Sequence, residues 1–232
     1  MCAQFLIRDN LVDFSKGFPA ILDMPDQWSG RVFPKNIAPV LLWSDDHFEI
    51  KPMQYSLIPR WSKVESPKFA TYNARLETVL EKPTWRKPFI ENRCLVPMTG
   101  FIEWLEDENG KKHTANFSSK DEVILAAGVY ETWRSKEGME IDSFAIVTTE
   151  PTEFIENQGH DRMPVFPNEE VQKTWLKLES NDPHEIKALL DKKQEIEFSC
   201  EPIETPKPKR ADKKKDPKKK KEEQLNLLED ED

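Results

Sequence analysis

The first candidate for chemistry is Cys2, which directly follows the initiator methionine. A small side chain at the second position normally permits removal of Met1. Cys2 would then carry a free α-amine and a thiol on adjacent carbons. The reference pKa values of these groups are about 7.7–8.0 and about 8.5, so usable fractions of both nucleophiles exist at neutral pH. The alternative is an incidental buried thiol near a chain end.

Three internal motifs place polar side chains where apolar ones would serve a core better. They are YNARLET (72–78), VPMTGFIEW (96–104) and GHDRMPV (159–165), and the apolar, proline-containing stretches NIAPV (36–40) and SLIPRW (56–61) accompany them. Taken singly, each polar residue also has a structural interpretation. Asn73 and Glu77 could cap or pair at a helix start, Glu103 could face solvent on a half-buried strand, and His160 could be a surface loop residue.

As a set, the motifs resemble the SOS response associated peptidase (SRAP) family of abasic-site-processing proteins. That family begins Met-Cys-Gly-Arg and carries Asn-Ala-Arg-x-Glu-Thr, Cys-Leu-(Ile/Val)-Pro-x-x-Gly-Phe-Tyr-Glu-Trp and His-Asp-Arg-Met-Pro. The order and rough spacing agree over about residues 2–203. This sequence departs at Ala3 and Gln4, which replace the family's glycine and a phosphate-contacting arginine, and at Ile102, which replaces its tyrosine.

The resemblance implies a reaction with an aldehyde. An abasic site is a deoxyribose that has lost its base and exists partly as an open-chain aldehyde. An amine condenses with the aldehyde to an imine, and a neighbouring thiol closes the imine to a thiazolidine that resists hydrolysis. We therefore expect Cys2 to crosslink the protein covalently to abasic sites in single-stranded DNA, shielding the lesion in the DNA damage response, with no cofactor or metal.

The resemblance also implies roles for individual residues. His160 is the expected acid/base, Glu103 would take or orient the proton of the amine, and Asn73 would hold the Cys2 terminus or a sugar hydroxyl. The expected DNA-binding residues are Arg75, Arg162, Trp61, Trp104, Met163 and Pro39. A basic strip through the two arginines and Lys63 would contact phosphates. Core packing explains Trp104 equally well.

Two other functions use the same residues differently. An N-terminal-nucleophile amidohydrolase or peptidase would also employ Cys2, with the arginines binding a substrate carboxylate. A noncatalytic reader of modified bases would use Cys2 only structurally. The family's name raises self-removal of Met1, although a general aminopeptidase would suffice to expose Cys2.

The remaining pattern predicts an α+β fold. QFLIR, RCLVPM, GFIEWLE, KHTANF, VILAAGVYETW and IDSFAIVTTE read as strands, and NEEVQKTWL and DPHEIKALLDK read as capped helices. Because the strands lack regular βαβ alternation, we expect a mixed, mostly antiparallel sheet, curled or barrel-like, with peripheral helices, as in the SRAP fold. Cys94 and Cys200 lie in apolar runs and are expected to be inert.

Charge and composition separate a body from a tail. The chain carries a net charge of −9, and residues 205–232 carry ten basic and eight acidic side chains, which leaves −11 for residues 1–204. We therefore expect a catalytic domain at 1–204 and a disordered lysine-rich tail at 205–232. Within the tail, Gln224-Leu225-Asn226-Leu227-Leu228 resembles the sliding-clamp-binding pentapeptide of bacteria. We expect a cytoplasmic monomer that joins the nucleoid during DNA damage, with no membrane segment.

Overall fold

A computed structural model describes residues 3–7, 30–44, 47–106, 109–120, 123–177 and 180–203. Cys2 and the predicted tail at 205–232, including the pentapeptide at 224–228, lie outside these residues. The strands are β1 (Gln4–Ile7), β2 (Gly30–Val32), β3 (Ile37–Ser44), β4 (His47–Tyr55), β5 (Asn73–Arg75), β6 (Arg93–Met98), β7 (Gly100–Glu106), β8 (Lys112–Ser119), β9 (Ile124–Arg134), β10 (Glu140–Thr149), β11 (Met163–Pro164) and β12 (Phe198–Ile203). The helices are α1 (Pro83–Glu91), α2 (Glu153–Asn157), α3 (Glu169–Lys177) and α4 (Pro183–Leu189).

Two sheets organise the described strands. The first is antiparallel and has the order β12-β8-β7-β1-β2. The second has the order β11-β10-β4-β3-β6-β9, and the pairing of β9 with β10 closes its central five strands into a barrel. Among the pairs of described strands, only those that β10 forms with β4 and β5 are parallel. The predicted α+β fold with a mostly antiparallel, barrel-like sheet is confirmed.

Two apolar clusters support this arrangement. One combines side chains of both sheets, including Phe5, Phe101 and Phe144. The other packs the barrel against the helices through residues such as Phe89 and Trp175. Burial of such large side chains supplies most of the stabilisation of a fold of this kind. Within the described residues, no helix is long and apolar enough to cross a membrane.

The helix signals in the sequence correspond to real caps. At the start of α4, the Asp182 carboxylate accepts hydrogen bonds from the backbone amides of His184 (2.7 Å) and Glu185 (3.2 Å). At the start of α3, the Asn168 side chain accepts a bond from the amide of Val171. Both caps satisfy amides that the first helical turn leaves without partners. The sequence did not predict α1, whose pattern is interrupted by Pro88.

Candidate active site

Strand β7 places a carboxylate on the core side of the first sheet. Side chains two residues apart on a strand share a face, and Glu103 therefore points the same way as the buried Phe101 and Leu105. Glu103 is 2% exposed, whereas its neighbour Trp104 is 48% exposed. The solvent-facing interpretation of Glu103 is thus excluded. A carboxylate buried to this degree requires polar partners.

His160 supplies one such partner. Its Nε2 atom lies 3.0 Å from the Oε2 atom of Glu103, and its side chain is 8% exposed. The chain reaches this position through the end of α2 and Gly159, whose φ of +88° is a left-handed conformation that suits glycine. The histidine is therefore a buried partner of Glu103 and not a surface loop residue.

The backbone of Arg162 fixes the imidazole from its other side. The Nδ1 atom of His160 lies 2.8 Å from the Arg162 carbonyl oxygen and 3.2 Å from the Arg162 amide nitrogen. In one tautomer Nδ1 donates to the carbonyl, and in the other it accepts from the amide; the shorter contact favours donation. Nε2 is then the ring atom that faces the Glu103 carboxylate, and a proton can pass between the two groups, which is the arrangement that an acid/base pair needs.

The N-terminal strand approaches this pair. Strand β1 runs antiparallel to β7 with Gln4 opposite Ile102 and Phe5 opposite Phe101. One further step along this register sets Ala3 beside Glu103. The peptide bond joins Cys2 to Ala3, so the chain start is tethered to the strand that carries the buried carboxylate.

Asn73 and Arg75 occupy the short strand β5. This strand pairs in parallel with β10, with Asn73 opposite Ile146 and Arg75 opposite Thr148. Asn73 is 9% exposed, while the Arg75 side chain is exposed. The motif therefore forms a strand and its following turn, not the helix start considered from the sequence. It presents one buried amide and one accessible cation.

Arg162 makes contacts that the sequence did not reveal. Its guanidinium donates to both carboxylate oxygens of Glu77, at 3.1 and 2.9 Å, and to the carbonyl oxygen of Thr148 at 2.8 Å. Desolvation by itself raises the pKa of Glu77. The hydrogen bonds and charge of Arg162, together with the backbone amide of Glu77 and the charge of Lys187, outweigh this effect and lower the pKa overall. The two terminal nitrogens of the Arg162 guanidinium are thus already bonded to the Glu77 carboxylate.

An aromatic pair lies on the surface loop between β4 and β5. Trp61 and Phe69 are 55% and 50% exposed, their ring centroids are 6.3 Å apart, and their planes differ by 17°. The two rings form a contiguous exposed apolar surface, the kind of feature from which binding sites are built. Trp61 was among the predicted contacts, whereas Phe69 was missed, although it lies four residues before Asn73 in the same motif region.

The other predicted contacts differ in accessibility. Trp104 is exposed on β7, whereas Met163 is 7% exposed in β11 and Pro39 is buried in β3. Lys63 is exposed on the loop that carries Trp61. Within the described residues, no cluster of three or more His, Cys, Asp or Glu side chains is arranged to hold a metal ion. The Cys94 thiol is fully buried, which raises its pKa and removes it from nucleophilic chemistry.

The chain is similar in sequence to proteins of one known family. Residues 1–206 match the family model described as SOS response associated peptidase (SRAP). The abasic site processing protein YoqW of Bacillus subtilis is 32% identical over 197 residues, covering 82% of this chain and 86% of the relative. The abasic site processing protein HMCES of Rattus norvegicus is 27% identical over 216 residues, covering 75% of this chain and 61% of the relative.

Solved structures show the same fold. A protein from Bacteroides thetaiotaomicron superposes with a TM-score of 0.69 at 25% identity, covering 88% of this chain and 93% of that one. A protein from Bordetella bronchiseptica has a TM-score of 0.71 at 18% identity, covering 88% of this chain and all of that one.

Proposed function

We propose that this chain, which belongs to the SOS response associated peptidase family, processes abasic sites in DNA by a covalent reaction of Cys2. The relatives named abasic site processing proteins support the substrate. The observation that carries the proposal is the buried Glu103–His160 pair, whose Oε2 and Nε2 atoms are 3.0 Å apart, on the strand beside which the N-terminal strand begins.

The reaction balances without a cofactor. After loss of Met1, the α-amine of Cys2 attacks C1′ of the open-chain sugar and forms a carbinolamine. Loss of one water molecule gives the imine. The Sγ atom of Cys2 then adds to the imine carbon while the nitrogen takes a proton, which closes a thiazolidine. The net change is aldehyde plus aminothiol giving thiazolidine plus water.

The buried pair supplies the proton transfers in these steps. Attack by the amine requires removal of a proton from nitrogen, and dehydration requires delivery of a proton to the leaving hydroxyl. His160 and Glu103 share a proton across 3.0 Å and can serve both steps in turn. The Arg162 carbonyl holds the imidazole in orientation at 2.8 Å. Asn73, on β5, is the proposed hydrogen-bonding group for the chain terminus or a sugar hydroxyl.

The accessible groups suit single-stranded DNA. The exposed cation of Arg75 can pair with a phosphate, and the Trp61–Phe69 rings offer flat faces on which unpaired bases stack. Trp104 adds a third exposed ring, on the face of β7 opposite to Glu103. Arg162 is bound to Glu77, so we assign it chiefly to the orientation of His160 and only secondarily to a phosphate.

The proposal is tested with an oligonucleotide that carries one abasic site. The wild-type chain, verified by intact mass to lack Met1, is expected to give an adduct that survives denaturing electrophoresis without borohydride. Cys2→Ala should abolish the adduct, whereas Cys200→Ala, a matched change at a half-buried thiol, should not. Adduct formation by Cys2→Ala would refute the mechanism. Absence of any wild-type adduct would favour amide hydrolysis or noncatalytic reading.

A second proposed partner is the replicative sliding clamp. The support is the sequence Gln224-Leu225-Asn226-Leu227-Leu228, which follows a lysine-rich segment. A tether of this kind would raise the local concentration of the protein near replicating DNA. Deletion of 224–228 should abolish clamp binding in a pull-down or titration, and unchanged affinity would overturn the assignment.

A further inference from the structure

Hydrogen bonds to the barrel hold the loop that carries Trp61 and Phe69 at residues 58, 60 and 62. We define the aromatic loop as residues 56–72. Ser143 Oγ accepts a bond from the amide of Ile58 at 2.8 Å, and the Nε1 atom of Trp133 donates to the carbonyl of Ser62 at 2.9 Å. These contacts bracket Trp61 on both sides. They restrain the backbone from which its half-exposed ring projects.

Between these two contacts lies a charged one. Glu131 is 2% exposed on β9. Its Oε2 atom accepts a hydrogen bond from the backbone amide of Arg60, and its Oε1 atom forms an ion pair with the Arg60 Nε, both at 2.8 Å. Bonds to an ionised carboxylate are roughly twice as strong as neutral ones. A single buried side chain thus fixes both the backbone and the side chain of the residue that precedes Trp61.

The contact between Glu131 and Arg60 differs from an ion pair between two neighbouring strands. Desolvating a carboxylate is costly, and the cost is recovered only through good hydrogen-bond geometry. Here the hydrogen bond and the ion pair of the Glu131 carboxylate both lead to Arg60 in the aromatic loop. The Arg60 side chain is 47% exposed, so one end of the pair is at the surface while the carboxylate is inside. Removal of the carboxylate would therefore loosen the aromatic loop before it disturbs the strands of the barrel.

We propose that Glu131 is a positioning residue that holds the Trp61–Phe69 rings ready to stack on DNA bases. The inference rests on the proposed function. Pre-organisation of a binding surface removes part of the entropic cost of association. Loss of the Glu131 carboxylate should accordingly weaken DNA binding while it leaves the chemical step at the Glu103–His160 pair unchanged.

The test compares Glu131→Gln with a matched control. Glu140→Gln removes a carboxylate from the same β9–β10 hairpin, where it pairs with Arg134 at the surface. Binding of single-stranded DNA without abasic sites and the adduct-forming rate at saturating abasic DNA are both measured. We expect Glu131→Gln to raise Kd about tenfold, which corresponds to about 1.4 kcal/mol, with an unchanged maximal rate. The control should alter neither quantity.

Hydrogen exchange adds a readout that does not depend on DNA chemistry. The amides of Ile58, Arg60, Trp61 and Ser62 should exchange faster in Glu131→Gln than in the control, because glutamine has one acceptor oxygen and no charge where the carboxylate holds Arg60 through two oxygens. Unchanged exchange and unchanged Kd would overturn the proposal. If the wild type forms no adduct but Glu131→Gln still weakens binding, the proposed function fails while the positioning role stands.

A second variant covers the case in which Glu131→Gln does not fold. Arg60→Met removes only the partly exposed Nε bond and keeps the backbone bond. It should raise Kd in the same direction by a smaller factor, again with an unchanged maximal rate. A fall in the maximal rate with an unaltered Kd would contradict a positioning role in either variant.

Discussion

The Nε2 atom of His160 lies 3.0 Å from the Oε2 atom of Glu103, and both side chains are almost fully withdrawn from solvent. The two residues are 57 positions apart in sequence and meet because β7 and the turn after α2 converge. A buried polar group needs a hydrogen-bonding or charged partner, and each of these side chains supplies one to the other, which makes the pair the centre of the proposed chemistry.

The first prediction concerns this pair. Glu103→Gln and His160→Gln should each slow adduct formation by about 100-fold or more, the usual contribution of a positioned acid or base. The measurement is the single-turnover rate at saturating abasic DNA. His184→Gln, at an exposed position on α4, serves as the control. The double variant should be little slower than either single one, because the residues act as a unit. Wild-type rates in both single variants would contradict the assignment.

The second prediction concerns Arg75 and phosphate. Binding of single-stranded DNA should weaken with salt, and each neutralised phosphate contributes about 0.7 to the slope of log K against log salt. Arg75→Gln should lower that slope by about this amount, since its side chain is exposed beside the site. Arg134→Gln, which removes an exposed arginine paired with Glu140, should leave the slope unchanged. A flat salt dependence of the wild type would contradict phosphate contacts altogether.

The third prediction concerns the pH dependence of stability through Glu77. Its pKa in the folded state lies below the ordinary value of 4.5 because the hydrogen bonds and charge of Arg162 outweigh desolvation. A carboxyl with a depressed pKa stabilises the fold above its unfolded-state pKa, and this stabilisation disappears as pH falls through the folded-state value.

The stability difference between wild type and Glu77→Gln should therefore be largest near neutral pH and shrink on acidification below 4.5. Denaturant titrations across this range measure it. Because the Glu77 side chain is 41% exposed, salt should reduce the difference. Glu65→Gln, at an exposed loop position, should show no such trend. A difference that grows on acidification would contradict the sign.

The fourth prediction concerns Gly100, which opens the strand that carries Glu103. A Cβ atom there would lie 2.6 Å from the carbonyl oxygen of Phe117 on the neighbouring strand β8. Gly100→Ala should therefore push β7 and β8 apart and lower the free energy of unfolding by about 2 kcal/mol. Lys112→Ala, an exposed change in the same hairpin, should stay within about 0.5 kcal/mol of wild type. Denaturant unfolding of both variants measures these changes in the free energy of unfolding.

The sequence revealed the residue types of the site better than their contacts. The family resemblance brought Glu103 and His160 into one hypothesis, and the structure places their side chains 3.0 Å apart; their roles stay predictions. The bonds that Arg162 donates to Glu77 and that Arg60 donates to Glu131 span 85 and 71 positions. Local periodicity carries no information about such contacts, which depend on how the sheets close.

Exposure was similarly hard to predict at strand positions. In the run Gly100–Glu106 the side chain of Glu103 is buried while that of Trp104 is exposed, the reverse of what hydrophobicity alone favours. A functional site is where such local preferences are expected to fail. The fold class, by contrast, could be predicted from the sequence, because the alternation of apolar and polar residues along the strands and the turn residues between them reflect how the strands pack in the core.

The most direct test of the central claim is peptide mapping of the adduct. After reaction with an abasic oligonucleotide, nuclease and protease digestion should leave the sugar remnant on the peptide that begins with Cys2, with Met1 absent. The mass increment should equal that of the sugar fragment less one water, as thiazolidine formation requires. A remnant on a lysine side chain, or on Cys200, would contradict the account.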